Sequence, residues 1–416
     1  MATLDRRGNS PSELRRMNAT AILRALRTSG PLTIAELASA VGLSRPTVVN
    51  ALEFLAESEL IDYHVGGTGS PHRGNGLIGR PAQTVSFRAR RNVVVGVELG
   101  PSRTVVVLAD LCGQVITRRH LGSLTGEDSR QQPDQLAEVV EELLREGGVA
   151  LTKLAAVVIG LPGIVKPDGR SVRQNHSVPQ DFALFTRTIS DRLRCDVHIE
   201  NDVNLAVLGE SWQGAAQGAS TVAYVHWGTR IGAGLLVGGR LHRGAAGAAG
   251  EIGHLVTGFG SATSRNRTTE LGAFERDASA PAIAALGRAA ALRPDGATLL
   301  DLAGGDPQAV QATTVLSAAK AGDPVAMAIT EDVVTRFAAG LAPLLLVLDP
   351  DLVVLSGGVT LAGTWLLDRL QERLRTYTLE PPRMALSSLR NEAAAIGGIR
   401  VALDALENTL LPTETT

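Results

Sequence analysis

The stretch Ile199-Glu200-Asn201-Asp202-Val203-Asn204, followed by Glu210, constrains this chain more than any other. It reads as a buried strand that ends in a carboxylate and two carboxamides and then opens a helix. Such a junction exposes polar side chains at the mouth of an α/β cleft, where the helix N-terminus favours anions. About fifty residues later comes a second polar stretch, Gly247-Ala248-Ala249-Gly250-Glu251-Ile252-Gly253-His254.

A chain of 416 residues suits two or three domains, each with a sizeable core. No apolar run approaches the ~18 residues of a membrane helix, and residues 1–10 lack the apolar core of a signal peptide. Cys112 and Cys195 are the only thiols and make no disulfide framework, so a reducing cytoplasm is expected. The overall charge of −2 hides an asymmetry. Residues 1–91 carry 12 Arg against 7 acids, which leaves the remainder acidic. A basic head on an acidic body fits a nucleic-acid-binding module joined to something else.

The head shows helix punctuation. Ser10-Pro11-Ser12-Glu13 offers an N-cap, a proline at the first helical position and a capping-box glutamate. Leu14, Met17, Ile22, Leu23 and Leu26 extend that helix to about Ser29, and Gly30-Pro31 breaks it. Thr33-Ile34-Ala35-Glu36 is a second capping box, Gly42 makes a turn, and Ser44 caps a third helix through Leu55. This is helix-turn-helix spacing, with the third helix entering the major groove by its N-terminal end. Its DNA-facing candidates are Ser44, Arg45, Pro46, Thr47 and Asn50. Arg can read guanine bidentately and Asn can read adenine. Two alternating segments at 60–65 and 84–87 read as a wing. The Gly-rich loop between them ends in Gly79-Arg80-Pro81, and Arg80 is a slim finger suited to a minor groove. A three-helix protein-interaction module is the alternative for this head.

In the body, apolar runs at 93–99, 104–110 and 115–120 read as a β-meander, followed by a helix at 136–144 and strands at 155–160 and 197–200. A similar set recurs at 221–227, 231–237 and 352–355. This duplicated layout, with the two polar stretches in order, resembles the ROK family of repressors and sugar kinases. The resemblance covers essentially the whole chain, head included. It implies a winged helix-turn-helix head followed by an α/β, actin-like (ribonuclease-H-like) body of two lobes with a sugar in the cleft. The expected divisions are a head over 1–91, lobe one over 92–212 and lobe two over 213–416.

The family's sugar contacts map onto Gly163, Asn175, Asn201, Asp202, Glu251, His254 and Glu275 of this sequence. Carboxylates, amides and imidazole suit sugar hydroxyls, which both donate and accept hydrogen bonds. In a kinase Asp202 would take the proton of the attacking hydroxyl. Taken singly, each residue is equally suited to capping or burial.

Two phosphate loops depart from the kinase pattern. Glu98-Leu99-Gly100-Pro101-Ser102 stands where the family has Asp-x-Gly-Gly-Thr, so Pro101 removes an N–H and Glu98 displaces the carboxylate from strict magnesium geometry. Arg230 in Gly228-Thr229-Arg230-Ile231-Gly232 replaces a glycine of a phosphate turn, while Ser356-Gly357-Gly358 keeps its pattern. The family's zinc site combines the His of Glu-Ile-Gly-His with three Cys. Residues 258–274 contain no Cys, and one His cannot make a tetrahedral site. The sequence thus predicts a sugar- or sugar-phosphate-responsive regulator, a repressor, that binds operator DNA as a homodimer or tetramer, without zinc, ATP or magnesium. A sugar kinase with a DNA-binding head and a partner-controlled regulator that has lost sugar binding are the alternatives.

Overall fold

The computed structural model describes residues 11–65, 83–124, 131–166, 182–258 and 271–407. The expected cap at Ser10, the wing loop with Arg80, the polar loop with Asn175 and most of the zinc-run segment lie outside the described residues.

The head comprises α1 (Pro11–Ser29), the two-residue β1 (Leu32–Thr33), α2 (Ile34–Val41), α3 (Arg45–Glu57), β2 (Ile61–Val65) and β3 (Gln83–Phe87). Its helices begin where their caps predict. Thr33 Oγ1 accepts the Glu36 amide at 3.3 Å, and the Glu36 carboxylate accepts the Thr33 amide at 2.8 Å. These bonds hold the Glu36 carboxyl below its usual range. Gly42 ends α2 at φ 68°, a left-handed conformation that favours glycine. Ser44 Oγ then accepts the Thr47 amide at 3.3 Å to start α3. β1 joins the wing, giving an antiparallel sheet in the order β1-β3-β2. Ile22, Leu26, Leu37, Val48, Leu52, Leu55 and Val85 close a separate core beneath it.

Lobe one runs β4 (Val93–Leu99), β5 (Arg103–Asp110), β6 (Val115–Gly122), α4 (Gln132–Glu146), β7 (Leu154–Leu161), α5 (Phe182–Leu193), β8 (Asp196–Asn201) and α6 (Asp202–Gln213). Lobe two begins with β9 (Val222–Trp227), β10 (Ile231–Val237) and β11 (Arg240–Leu241). A helical insert follows, α7 (Ala273–Ala278), α8 (Ala280–Ala291), α9 (Ala297–Leu302), α10 (Ala312–Lys320) and α11 (Pro324–Leu348). The chain then closes with β12 (Leu352–Ser356), α12 (Thr364–Leu374), β13 (Met384–Leu386) and α13 (Ala393–Glu407). Sheet one has the order β6-β5-β4-β7-β8 and sheet two the order β11-β10-β9-β12-β13. In each, the first three strands are antiparallel and the last two add in parallel. The duplication expected of an actin-like body is therefore present strand for strand. Among the described residues no helix is long and apolar enough to cross a membrane.

Strands of continuous Val, Ile and Leu need cover on both faces. Sheet one buries its outer face under α4 and α5, through Leu136, Val140, Phe185 and Ile189. Sheet two buries its own under the helical insert, where Trp227 stacks on Phe337 with ring centroids 3.6 Å apart. The inner faces share a third core built on α6 and α13. α13, assigned by chain order to lobe two, packs on α6, β4 and β7 of lobe one. Glycines make that packing possible. A Cβ on Gly96 would lie 1.9 Å from the Ala395 carbonyl oxygen, one on Gly397 1.8 Å from that of Leu205, and one on Gly209 2.2 Å from that of Ala393.

Because backbone rather than a flexible side chain opposes each of these glycines, a side chain there fits only if the strand or a helix shifts. Gly397→Ala is expected to destabilise the body by about 3 kcal/mol, the upper end for overpacking. Gly218→Ala, at an open left-handed turn, is expected to cost about 1 kcal/mol. Urea denaturation of the two variants checks the order.

Candidate functional site

The head presents the N-terminal end of α3. Ser44, Arg45, Pro46 and Asn50 are exposed, and Thr47 is half-buried. Ser44 and Thr47 share a hydrogen bond of 2.7 Å between their hydroxyls, so these two shape the cap. Arg45 and Asn50 are the longer of the exposed side chains on this end of α3.

In the body, β8 ends at Asn201 and α6 begins at Asp202. Asn201 is the N-cap, its Oδ1 accepting the Asn204 amide at 3.0 Å, while its Nδ2 donates to the Gly163 carbonyl at 2.8 Å. Gly163 holds φ 116°, accessible to glycine. Asn201 therefore fixes the Gly163 loop to the helix start, and both ends of its amide are engaged inside the protein. Asp202 is placed one residue on, with Oδ1 accepting the Val203 amide at 2.8 Å.

Lobe two brings the second stretch to the same place. Gly250 at φ 88° lies against the Ala233 carbonyl of β10, and Gly247 at φ 73° lies against the Val165 carbonyl of lobe one, so neither position has room for a Cβ. The short turn Ile252–His254 follows. Glu251 and His254 face each other at 3.9 Å and are both partly exposed.

The two lobes are tied by a pair that motif matching alone does not reveal. Glu200 Oε2 accepts the Nε of Arg243, from lobe two, at 2.6 Å. Glu200 Oε1 accepts the Asn201 amide at 2.9 Å and the Asn204 side-chain amide at 3.0 Å. Arg243 also accepts the Ala249 amide on its own carbonyl, at 3.1 Å, and so holds the turn that leads to Glu251. The sequence does carry a signal: a glutamate ending an apolar strand needs a cation.

Three carboxylates converge on the cleft floor. Burial pushes the Asp202 carboxyl up to about 7, and the charges of Glu98 and Glu251 push the same way, against the Val203 amide. Burial also raises Glu98, opposed by Arg103. Arg103 reaches one oxygen of Glu98 with Nη2 at 2.8 Å and Nε at 3.1 Å. Burial, with the Arg103 charge, lowers His226 to about 4, so its ring is neutral near pH 7.

Glu98 stands where the resemblance expects a magnesium-binding carboxylate. Its carboxylate is already held by a guanidinium that repels a cation. In the second loop Arg230 turns toward Glu275 at 3.4 Å. The third keeps its shape, Gly357 at φ 97° lying against the Trp227 carbonyl. Glu275 is held inside the protein. The sequence places it among the sugar contacts, but its side chain is buried and used internally: Oε1 accepts the Ile231 amide at 3.0 Å and Oε2 the Gly272 amide at 2.8 Å. It caps α7 and ties that helix to β10. Glu210 is likewise an anchor, accepting the Ala215 amide at 2.7 Å and the Leu389 amide at 3.1 Å. The zinc site that the resemblance describes would need three thiolates beside His254. The chain's only thiols, Cys112 and Cys195, lie in the β5–β6 turn and before β8, away from His254.

Residues 94–405 match the ROK family, and residues 16–62 match the MarR family. The xylose repressor of Caldicellulosiruptor bescii is 22% identical over 400 residues, covering 94% of this chain and 96% of that protein. The glucokinase of Halalkalibacterium halodurans is 28% identical over 314 residues, covering 73% of this chain and 93% of that protein. Among solved structures, a ROK family transcriptional regulator described as a homologue of the E. coli MLC protein superposes with a TM-score of 0.73 at 19% identity, covering 96% of this chain and 98% of that one. The ROK hexokinase of Thermus thermophilus superposes with a TM-score of 0.61 at 29% identity, covering 76% of this chain and 99% of that one. The chain belongs to the ROK family, with a MarR-type helix-turn-helix head ahead of the ROK body.

Proposed function

We propose that this protein is a sugar-responsive transcriptional regulator, a repressor, that binds operator DNA through its head and a sugar or sugar phosphate in the interlobe cleft. One contrast within the cleft carries this reading. Gly163, Asp202, Glu251 and His254 are gathered on the sugar side, while the carboxylate on the phosphate side is locked to Arg103. The similarity to the xylose repressor runs through head and body, whereas the similarity to the glucokinase leaves out about a quarter of the chain. Two half-sites on DNA call for paired heads, so the working unit is a homodimer or a dimer of dimers in the cytoplasm, without a metal or nucleotide cofactor. A sugar kinase is the second reading. It is favoured by Asp202, whose raised pKa suits a general base, and opposed by Arg103 and Arg230.

Binding of the full chain to its own upstream DNA, with and without free and phosphorylated sugars, tests the proposal. Tight binding released by one sugar supports it. Binding that no sugar alters favours the partner-controlled regulator, and sugar-dependent ATP consumption favours the kinase. Arg45→Ala is expected to weaken operator binding by about 1–3 kcal/mol and leave sugar binding unchanged.

The raised pKa of Asp202 sets a pH dependence. A sugar hydroxyl that donates to Asp202 needs the ionised carboxylate, so affinity is expected to rise with pH toward about 7 and level off above it. Below that point the fall approaches tenfold per pH unit. Stability has the opposite sign: the folded pKa lies above the unfolded one, so Asp202 disfavours the fold increasingly as pH rises between the two values. Calorimetric titration at pH 5.5 and 7.5, with Asp202→Asn as the flat reference, measures the first effect.

Arg243→Gln removes the cation facing a buried Glu200. It is expected to weaken sugar binding about tenfold or more, since the loop carrying Glu251 loses its tie to the strand carrying Asn201. Arg243→Lys should recover part of that loss. Equal sugar affinity in all three proteins would separate the ion pair from the site.

A further inference from the structure

We propose that the junction of head and body is a second binding site, for a small anion carrying two or more phosphate charges. The chain between β3 and β4 supplies Arg88, Arg90, Arg91 and Asn92 to a cavity of about 580 Å3, which Glu59 and Asp62 of the head and Lys153 of the body complete. That volume lies within the usual range for small-molecule sites, which favour domain junctions.

The charge in this cavity is unbalanced. Four cations meet two carboxylates. Arg88 is matched to Asp62 at 2.6 Å, but Arg91 reaches Glu59 only at 3.9 Å, and the Glu59 side chain is 70% exposed. Arg90 and Lys153 form no ion pair among the described residues. Asn92 Nδ2 donates to the Lys153 carbonyl at 3.3 Å and so holds Lys153 at the rim. Two uncommitted cations and one weakly held arginine around a concave space form a pocket for a compact phosphate-bearing ion.

Position argues for a small ligand over DNA. Glu59 and Asp62 follow the C-terminal end of α3, about 20 Å along the helix from Ser44. A phosphate backbone at the recognition end is therefore remote from this cavity. Position also gives the site a consequence. Glu59 holds φ 55°, uncommon for a residue with a side chain, and so fixes the turn from α3 into the wing. An anion that draws Arg91 away from Glu59 removes a tie between the linker and that turn, so anion and head compete for the same guanidinium.

The test is calorimetric titration of the full chain with inorganic pyrophosphate, and with orthophosphate in parallel, at ionic strength matched by chloride. Wild type is compared with the Arg90→Ala/Lys153→Ala double variant. Saturable binding of one pyrophosphate per chain, weakened at least tenfold in the variant with an unchanged melting temperature, is expected. Tighter binding of orthophosphate at the same stoichiometry would assign the site to the free ion and overturn the polyanion class. Absence of saturation in wild type, or equal binding in both proteins, would overturn the site itself. If the variant instead loses operator affinity with a shallower salt dependence, these cations are DNA contacts and the proposal fails. None of these outcomes depends on whether a sugar binds the cleft.

Discussion

The carboxylate of Glu200 is the point on which the cleft depends. It ends a strand of lobe one inside the protein, and a buried charge there must be matched. Its donors come from three directions: the backbone of Asn201, the side chain of Asn204 and the guanidinium of Arg243 across the cleft. The first two set the opening of α6 and hence the position of Asp202. The third brings in the lobe-two loop that carries Glu251 and His254. One acidic side chain thus assembles polar groups that lie about fifty residues apart in sequence. Removing only one partner of such a pair leaves the other charge buried, so Arg243 and Glu200 depend on each other.

The same electrostatic accounting divides the cleft into two halves. Around Asp202, burial above all, with the charges of Glu98 and Glu251 behind it, raises the carboxyl to about 7, while Asn201 holds the Gly163 loop to the start of α6. On the phosphate side, Arg103 neutralises Glu98, His226 stays uncharged and Arg230 turns to Glu275. A triphosphate with magnesium needs an accessible anion for its metal and close backbone approach for its oxygens. A protein that only senses a sugar needs neither, and its phosphate loops are then free to accept arginine and proline.

What was legible in the sequence was local. Thr33, Glu36, Gly42 and Ser44 announce the head because a cap is decided within four residues. The strands were legible because β-branched residues run on without polar interruption, and their repetition exposed the duplicated lobes. Long-range matters were not. Chain order puts α13 in lobe two, but Gly96, Gly209 and Gly397 clear the space that draws it onto lobe one, and no periodicity in α13 records that. Glu275 carries the composition of a sugar ligand and the geometry of a cap. Only the positions of the Ile231 and Gly272 amides tell the two apart.

For a sugar in the cleft to alter DNA binding, the two lobe arrangements must differ in free energy at the head. Phe87, at the end of the wing, packs against both the head core and the core built on α6 and α13. The Leu111 amide donates to the Ala89 carbonyl at 2.9 Å, which fastens the linker to the β5–β6 turn. The helix that starts at the sugar strand and the helix that returns from lobe two therefore meet in the core that carries the wing. α6 and α13 cannot slide freely past each other, since backbone touches backbone at Gly209 and Gly397, and α6 meets β10 of sheet two in the same way at Gly234. The physical link from cleft to wing is accordingly a packed one: α6 joins the strand that ends at Asn201 to the core on which Phe87 rests.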